Sequence, residues 1–369
     1  MLCIAFTGGG TGGHIYPGLA VACGLKQKLD CRIFWIGSRM EMDRSIVEAA
    51  GIDFFPIPAG KLRRNFSFKN IGDFFNVAAG FFAARKILKR EKPVLLFSKG
   101  GFVSVPPCAA ASSLGIKVFT HESDYSPGLA TRINARFVFK SGGNIIAAYR
   151  ETAEKFHRNI RSRVLVMANP VRAEFKNADP LAGRAFVGAR QDDRILLVLG
   201  GSQGAVELNR LVEASLGELL HLYLVVHQTG SRESAAPALA GYKTYPYINA
   251  ELPHVLAAAE LVLCRSGAGT LWECATAGKP MVLLPLSGSG TRGDQVENAR
   301  FFEKAGAAVV LSPDRRKPED LIRNIRALAE DEKKRRAMAE ASAAIGLEDG
   351  TAGIVRILSD SVRLPGREP

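Results

Sequence analysis

The chain has six cysteines in 369 residues, and no two of them form a CxxC pair. Zinc-ribbon frameworks and thioredoxin-type redox motifs are thereby excluded. Cys3, Cys23, Cys31, Cys108, Cys264 and Cys274 fall mostly in apolar stretches and read as buried thiols of a reducing cytoplasm. No His/Cys cluster has ligand spacing, and no Asp-x-Asp is present to hold a divalent ion on a sugar nucleotide, so no metal is expected. No apolar run reaches about 18 residues, which excludes a spanning helix. The start carries no basic stretch ahead of an apolar one, and Cys3–Phe6 reads as a strand, not as a signal. Low-complexity segments and nucleic-acid-binding motifs are also missing, so no nucleic acid is expected as a partner.

What remains is a globular composition, 47% hydrophobic and 23% charged, on a length that suits two domains. The formal net charge of +13 is consistent with nucleic acid, for which no motif is present, an anionic membrane surface or anionic substrates. Short apolar runs alternate with helical stretches: Leu2–Phe6, Cys31–Ile36, Val94–Phe97, Lys117–Thr120 and Phe137–Phe139. The pattern restarts with Ile195–Leu199, Leu222–Val226, Leu261–Cys264 and Met281–Leu284. Strands without polar alternation imply parallel sheets covered on both faces, so the fold class is α/β with two doubly wound halves. The seam falls between Arg163 and Phe175, around Asn169-Pro-Val-Arg172, which gives domains 1–165 and 166–348. A last amphipathic helix past Asp349-Gly350 runs to about Val362, and the segment 349–369 is expected to cross back to the first half.

Each half opens with a strand, a glycine loop and a helix. In the first, Thr7 leads into Gly8-Gly-Gly-Thr-Gly-Gly-His14, with Pro17 in the first turn of the helix. Glycines admit a ligand close to the main chain, and free amides at a helix start attract phosphate. His14 adds a group able to take a proton near neutral pH. Gly8-x-Gly10-x-x-Gly13 also fits a dinucleotide fingerprint, but the second strand ends Trp35-Ile-Gly-Ser-Arg39 without the acid that holds a ribose. A dehydrogenase would also leave His14 and the second loop, Gly200–Gly204, unexplained.

Cys264-Arg-Ser-Gly-Ala-Gly-Thr270 precedes a helix over Leu271–Ala277 and forms a second anion site through Ser266 and the amides of Gly267 to Thr270. Glu273 either holds vicinal hydroxyls such as those of a ribose or merely improves the helix start. Asp294 and Gln295 are helix caps first and sugar-hydroxyl binders second. Ser98–Phe102 and His121–Asp124 are further strand-end loops of the kind that line a ligand crevice. Residues Lys61–Arg90 carry eight basic side chains against Asp73, interleaved with phenylalanines. Ile71, Phe74, Phe75, Ala78, Phe81, Phe82 and Leu88 fit a stripe packed on the sheet, whereas Phe66 and Phe68 among Lys61, Arg63, Arg64 and Lys69 suit an anionic bilayer.

In order along the chain, Gly9–His14 with Pro17, Ser98–Phe102, His121-Glu122, Asn169–Arg172, Gly200–Ala205, His227–Gly230, Arg265–Ala268 with Glu273, and Gln295 with Asn298 resemble the MurG family. These are bacterial glycosyltransferases of family 28. The resemblance implies a GT-B fold, two Rossmann-like domains facing a central cleft. It implies transfer of N-acetylglucosamine (GlcNAc) from UDP-GlcNAc to the 4-hydroxyl of N-acetylmuramic acid (MurNAc) in undecaprenyl-pyrophosphoryl-MurNAc-pentapeptide, lipid I to lipid II, in cell-wall synthesis. Inversion, no metal, no cofactor and a peripheral place on the cytoplasmic face of the inner membrane are also implied. His14 would be the catalytic base. Thr11, Gly12 and Gly13 would face the donor sugar or the acceptor diphosphate. Arg172, Ser202, Ile248, Ala268, Gly269, Thr270, Leu271, Trp272, Glu273 and Gln295 would bind UDP-GlcNAc. Asp124 is a further substrate-binding position, but it stands where asparagine is usual, and Phe102 where tyrosine is. The rival readings are another GT-B lipid glycosyltransferase, a UDP-GlcNAc epimerase of the same architecture, and a non-catalytic membrane scaffold that keeps sugar-nucleotide binding.

Overall fold

A computed structural model describes residues 1–60, 69–201, 204–230, 239–288 and 293–362, with the backbone alone for 69–74. Contacts divide the chain into unit 1, Met1–Arg172 with Asp349–Pro369, and unit 2, Ala173–Glu348.

Unit 1 is built on a parallel sheet of seven strands: β1 (Leu2–Thr7), β2 (Cys31–Gly37), β3 (Asp53–Pro56), β4 (Leu95–Ser98), β5 (Lys117–Glu122), β6 (Ile145–Ala147) and β7 (Val164–Val166). Their order is β3-β2-β1-β4-β5-β6-β7. Ile4, Phe6, Trp35 and Phe97 point to one face and Ala5, Phe34, Ile36 and Leu96 to the other, each set in its own helix-covered core. Burial on both faces is what the unbroken apolar runs require.

Unit 2 repeats the plan with β8 (Ile195–Leu199), β9 (Leu224–Gln228), β10 (Tyr242–Tyr245), β11 (Leu261–Cys264), β12 (Met281–Leu283) and β13 (Ala308–Val310), ordered β10-β9-β8-β11-β12-β13. In both sheets the first strand lies between the second and the fourth, the Rossmann order. Ligands of such sheets bind beyond the strand ends where the order reverses. That rule selects the loops after β1 and β4 in unit 1 and after β8 and β11 in unit 2.

Several expectations change. Phe137–Phe139 is not a strand but the end of the helix Leu129–Ser141. Thr131, Asn134, Ala135 and Val138 are its buried residues, a spacing of helical period that a three-residue apolar window hides. The unit boundary follows Arg172 and not residue 165, because β7 and residues 167–171 belong to unit 1. Thr351 Oγ1 donates to the Val171 carbonyl at 2.8 Å, and a Cβ on Gly353 would lie 2.1 Å from Met167 Sδ. The last helix, Gly350–Val362, packs on the helix Gly12–Lys28, with Ile354, Val355 and Leu358 in the core. Cys108, Cys264 and Cys274 are buried as expected, but Cys23 is exposed and Cys3 and Cys31 are half-buried.

Candidate functional site

The helix after the first glycine loop begins at Gly12, earlier than Pro17 suggests, so His14 lies in its first turn and Pro17 lies inside it. Thr11 takes the cap position without a side-chain cap bond, and the His14 N–H donates to the Thr11 carbonyl at 3.1 Å. First-turn amides of a helix have no partner within it, and Pro17 has no N–H to give the Gly13 carbonyl. Thr11 and Gly13 are exposed, Gly12 is buried and His14 is half-buried.

Two neighbours fix this loop. Trp35 of β2 donates its indole N–H to the Gly8 carbonyl at 2.9 Å. Asp43, fully buried in the first turn of the helix Glu41–Ala49, accepts the Gly10 N–H on both oxygens at 3.0 Å and the Ser38 hydroxyl at 2.6 Å. The loop expected to cradle an external anion therefore spends its Gly10 amide on an internal one. Sequence reasoning missed Asp43, since nothing in its surroundings marks a partner 33 positions away. Gly10 adopts φ +83°, and a Cβ there would meet the Phe102 ring at 2.8 Å.

The loop after β4 completes the His14 surroundings. Gly101, at φ +77°, turns its Cα so close that a Cβ would lie 3.1 Å from His14 Cδ2, 3.4 Å from Nε2 and 3.0 Å from the Gly9 carbonyl. Beside it, Ser98, Lys99, His121 and Glu122 are all buried at the ends of β4 and β5. Lys99 donates to Ser123, and burial pulls its amine down to about 8 against the opposing attraction of Glu122 and Asp124. Burial, with Lys99 nearby, also holds His121 neutral, and neither of its ring nitrogens has a hydrogen-bond partner. Asp124 is half-buried at the outer end of this group. Arg172, placed in unit 1 and not with the second half, lies over the Tyr16 ring at 5.1 Å.

In unit 2, β11 delivers Arg265 and Ser266 to the start of the helix Ala268–Thr276, whose cap is Gly267. Ser266 Oγ is buried without a hydrogen-bond partner. Arg265 and Arg316 share the Glu207 carboxylate, each at 2.9 Å, and donate to the carbonyls of Leu284 and Pro285. Desolvation pushes the Glu207 carboxyl up, but the two guanidiniums outweigh it and hold the group below the usual carboxylate range. Two cations on one carboxylate leave a net positive charge beside the helix start. Gly269, Thr270 and Glu273 are half-buried and Ala268 is buried. Leu271 is 0% exposed and Trp272 packs edge-on against Phe302, so both side chains serve the core. Ile248 is buried too, with its N–H held by Gln228 Oε1 at 3.0 Å.

Asp294 and Gln295 are not the cap of their helix: Gly293 is, at φ +75°. Gln295 instead accepts the Leu286 N–H at 2.9 Å and pins the preceding loop. Ser202 lies outside the described residues, as do Phe66 and Phe68. Among the described residues no three His, Cys, Asp or Glu side chains are grouped closely enough to hold a metal.

The packed-stripe reading of Lys69–Glu91 holds for part of the helix. Gly80, Ala84 and Leu88 face inward, whereas Phe75 and Phe82 are 65% and 69% exposed and continue into exposed Lys86 and Lys89. No helix among the described residues is long and apolar enough to cross a membrane.

Comparison with known proteins gives two matching family models, the glycosyltransferase family 28 N-terminal domain over residues 4–141 and its C-terminal domain over residues 195–352. A Treponema denticola protein is 47% identical over 94% of this chain and 95% of its own length. Its name is UDP-N-acetylglucosamine--N-acetylmuramyl-(pentapeptide) pyrophosphoryl-undecaprenol N-acetylglucosamine transferase. A Treponema pallidum protein of the same name is 43% identical over 98% of this chain and 96% of its own. Among solved structures, MurG of Acinetobacter baumannii matches with a TM-score of 0.72 at 24% identity, covering 98% of this chain and all of that one.

Proposed function

The chain belongs to glycosyltransferase family 28, and from that membership we propose the reaction it performs and the residues that perform it. The protein is an N-acetylglucosaminyltransferase of GT-B fold. It moves GlcNAc from UDP-GlcNAc to undecaprenyl-pyrophosphoryl-MurNAc-pentapeptide and acts in peptidoglycan synthesis.

The finer reading is an inverting displacement without a metal. His14 takes the proton of the acceptor hydroxyl as its oxygen attacks the anomeric carbon. The supporting observation is the imidazole itself, half-exposed in the first turn of a helix and held from behind by Gly101. UDP binds at the end of β11, where the amides of Gly267 to Thr270, the Ser266 hydroxyl and the helix dipole meet its charge as it leaves. Arg265 and Arg316 keep that region positive. Glu273, one turn into the helix, accepts hydrogen bonds from vicinal ribose hydroxyls. Leu271, Trp272 and Ile248 contribute shape and main-chain groups, since their side chains are buried. Arg172, Ser202 and Gln295 complete the donor set. Thr11, Gly12 and Gly13 take the diphosphate or sugar at the other helix start, with Asp124 nearby.

Phe75 and Phe82 enter the headgroup region of an anionic bilayer while Lys86 and Lys89 hold its phosphates. On this reading the enzyme works peripherally on the cytoplasmic face of the inner membrane, where the lipid-linked acceptor resides.

The test is UDP release from UDP-GlcNAc with and without lipid acceptor. Acceptor-dependent release with a new disaccharide supports the transferase. Release or interconversion without acceptor points to an epimerase, and binding without turnover to a scaffold.

A further inference from the structure

Glu207 stands in the first turn of the helix Val206–Leu219, Arg265 directly follows β11, and Arg316 follows the turn Pro313–Arg315 beyond β13. Three separate segments of unit 2 thus bring two guanidiniums to one carboxylate. Arg265 donates to Glu207 Oε2 and Arg316 to Oε1, both at 2.9 Å. Each arginine also holds a carbonyl of the loop after β12, Arg265 that of Leu284 at 3.0 Å and Arg316 that of Pro285. One arginine would be enough to tie the loop to the helix. The second leaves a positive charge in excess among side chains that are mostly buried, which a fold does not need for its own stability.

Exposure decides which member of the cluster yields. The side chains of Arg265 and Arg316 are 11% and 8% exposed, whereas that of Glu207 is 44% exposed. The cations are enclosed and bonded to the main chain, so the carboxylate is the partner that another anion can displace. Arg265 also immediately precedes Ser266, whose buried hydroxyl has no hydrogen-bond partner, and Gly267, the cap of the helix Ala268–Thr276. An anion at that helix start and the Glu207 carboxylate therefore compete for the same guanidinium. Arg316 makes the exchange possible, because it keeps Glu207 paired when Arg265 turns away.

We propose that Glu207 is an internal competitor of the substrate diphosphate for Arg265, and that Arg316 is the positioning residue that sets the strength of this competition. UDP-GlcNAc draws Arg265 off the carboxylate on binding, and Glu207 reclaims it as UDP leaves, which eases product release. The inference rests on the reading of the β11 end as the diphosphate site. A site whose cation is engaged elsewhere for part of the time binds with an affinity reduced by that fraction.

The test is calorimetric titration of the full chain with UDP, and with uridine as a probe that lacks the diphosphate. Wild type, Glu207→Gln, Arg316→Met and the double variant are compared. Glutamine removes the competing charge, so Glu207→Gln should bind UDP about tenfold tighter and show stronger product inhibition. Arg316→Met leaves Glu207 to Arg265 alone, so UDP should bind about tenfold weaker. With no carboxylate at position 207 there is nothing for Arg316 to restrain, so the double variant should recover close to the Glu207→Gln affinity. Uridine should bind all four alike. Circular dichroism melts check that each variant folds, and Glu207→Ala replaces a glutamine variant that does not. Changes in a merely structural cluster weaken binding or leave it alone; they do not tighten it. Unchanged or weaker UDP binding by Glu207→Gln, a double variant as weak as Arg316→Met, or effects shared by uridine overturn the proposal. A wild type that binds no UDP would instead sink the diphosphate-site reading, and this inference with it.

Discussion

Replacing Lys99 by methionine should make unit 1 more stable at neutral pH. The amine is fully enclosed, and its ordinary value of 10.5 falls to about 8, with desolvation outweighing the attraction of Glu122 and Asp124. At about 1.4 kcal/mol per pH unit, that drop means the charged form costs the fold about 3 kcal/mol. The attraction lost on removing the charge is already contained in this figure. The sign follows from linkage. Between pH 8 and 10.5 the unfolded chain keeps the proton that the folded chain has lost, so raising the pH through this window favours folding. Wild type is therefore relieved of its penalty above about 10.5 and carries it in full below about 8. Methionine carries none at any pH. Trp35 of unit 1 and Trp272 of unit 2 are the two tryptophans, so urea unfolding in a Trp272→Phe background lets Trp35 report unit 1. Lys99→Met should be more stable by about 3 kcal/mol at pH 7, and the two curves should converge near pH 10.5. A variant less stable than wild type at pH 7, or a difference that ignores pH, would refute the reasoning.

Four further outcomes are expected. His14→Ala should lower turnover by about 10²–10⁴-fold if the imidazole is the general base, and a near-wild-type rate removes it from that role. Gly101→Ala places a methyl against the His14 ring at a left-handed φ, so kcat should fall roughly 10- to 100-fold while calorimetry finds UDP binding unchanged. Phe75→Ser with Phe82→Ser should abolish co-flotation with vesicles rich in anionic lipid without altering the circular dichroism spectrum; retained flotation would end the bilayer assignment. His227, buried and bonded to Tyr242 at 2.9 Å and Asn209 at 3.1 Å, is pushed by burial down to about 4. Its contribution is present above the ordinary 6.5 and is lost as pH falls through 4, so unit 2 should weaken across that window in wild type but less in His227→Gln.

Central strands were legible because they are long and apolar on both faces, and the restart at Ile195 disclosed the second sheet. The short outer strands were not. β7 and β13 lie at sheet edges and β6 lies beside β7; each has three residues, too few to display a period, and their pairing comes from neighbours far along the chain. The Phe137–Phe139 run misled for the same reason, since its helical context is set by Thr131 to Val138. The glycine loops and His14 announced themselves by residue type. Asp43 did not, because a carboxylate in a helical first turn looks like ordinary helix electrostatics until Gly10 is folded onto it. Phe75 and Phe82 show the limit of a stripe: it identifies a helix face without saying whether protein or something else covers it.

The return of Gly350–Val362 to the helix Gly12–Lys28 has a consequence for biosynthesis. A ribosome delivers the strands of unit 1 early, but Ile354, Val355 and Leu358, which close that sheet's core, emerge only after the whole of unit 2. Unit 2 is therefore fully translated while unit 1 still lacks its lid. Nascent chains stalled before residue 349 should expose that unfinished apolar face to chaperones, and release of the final turns is the step that seals it.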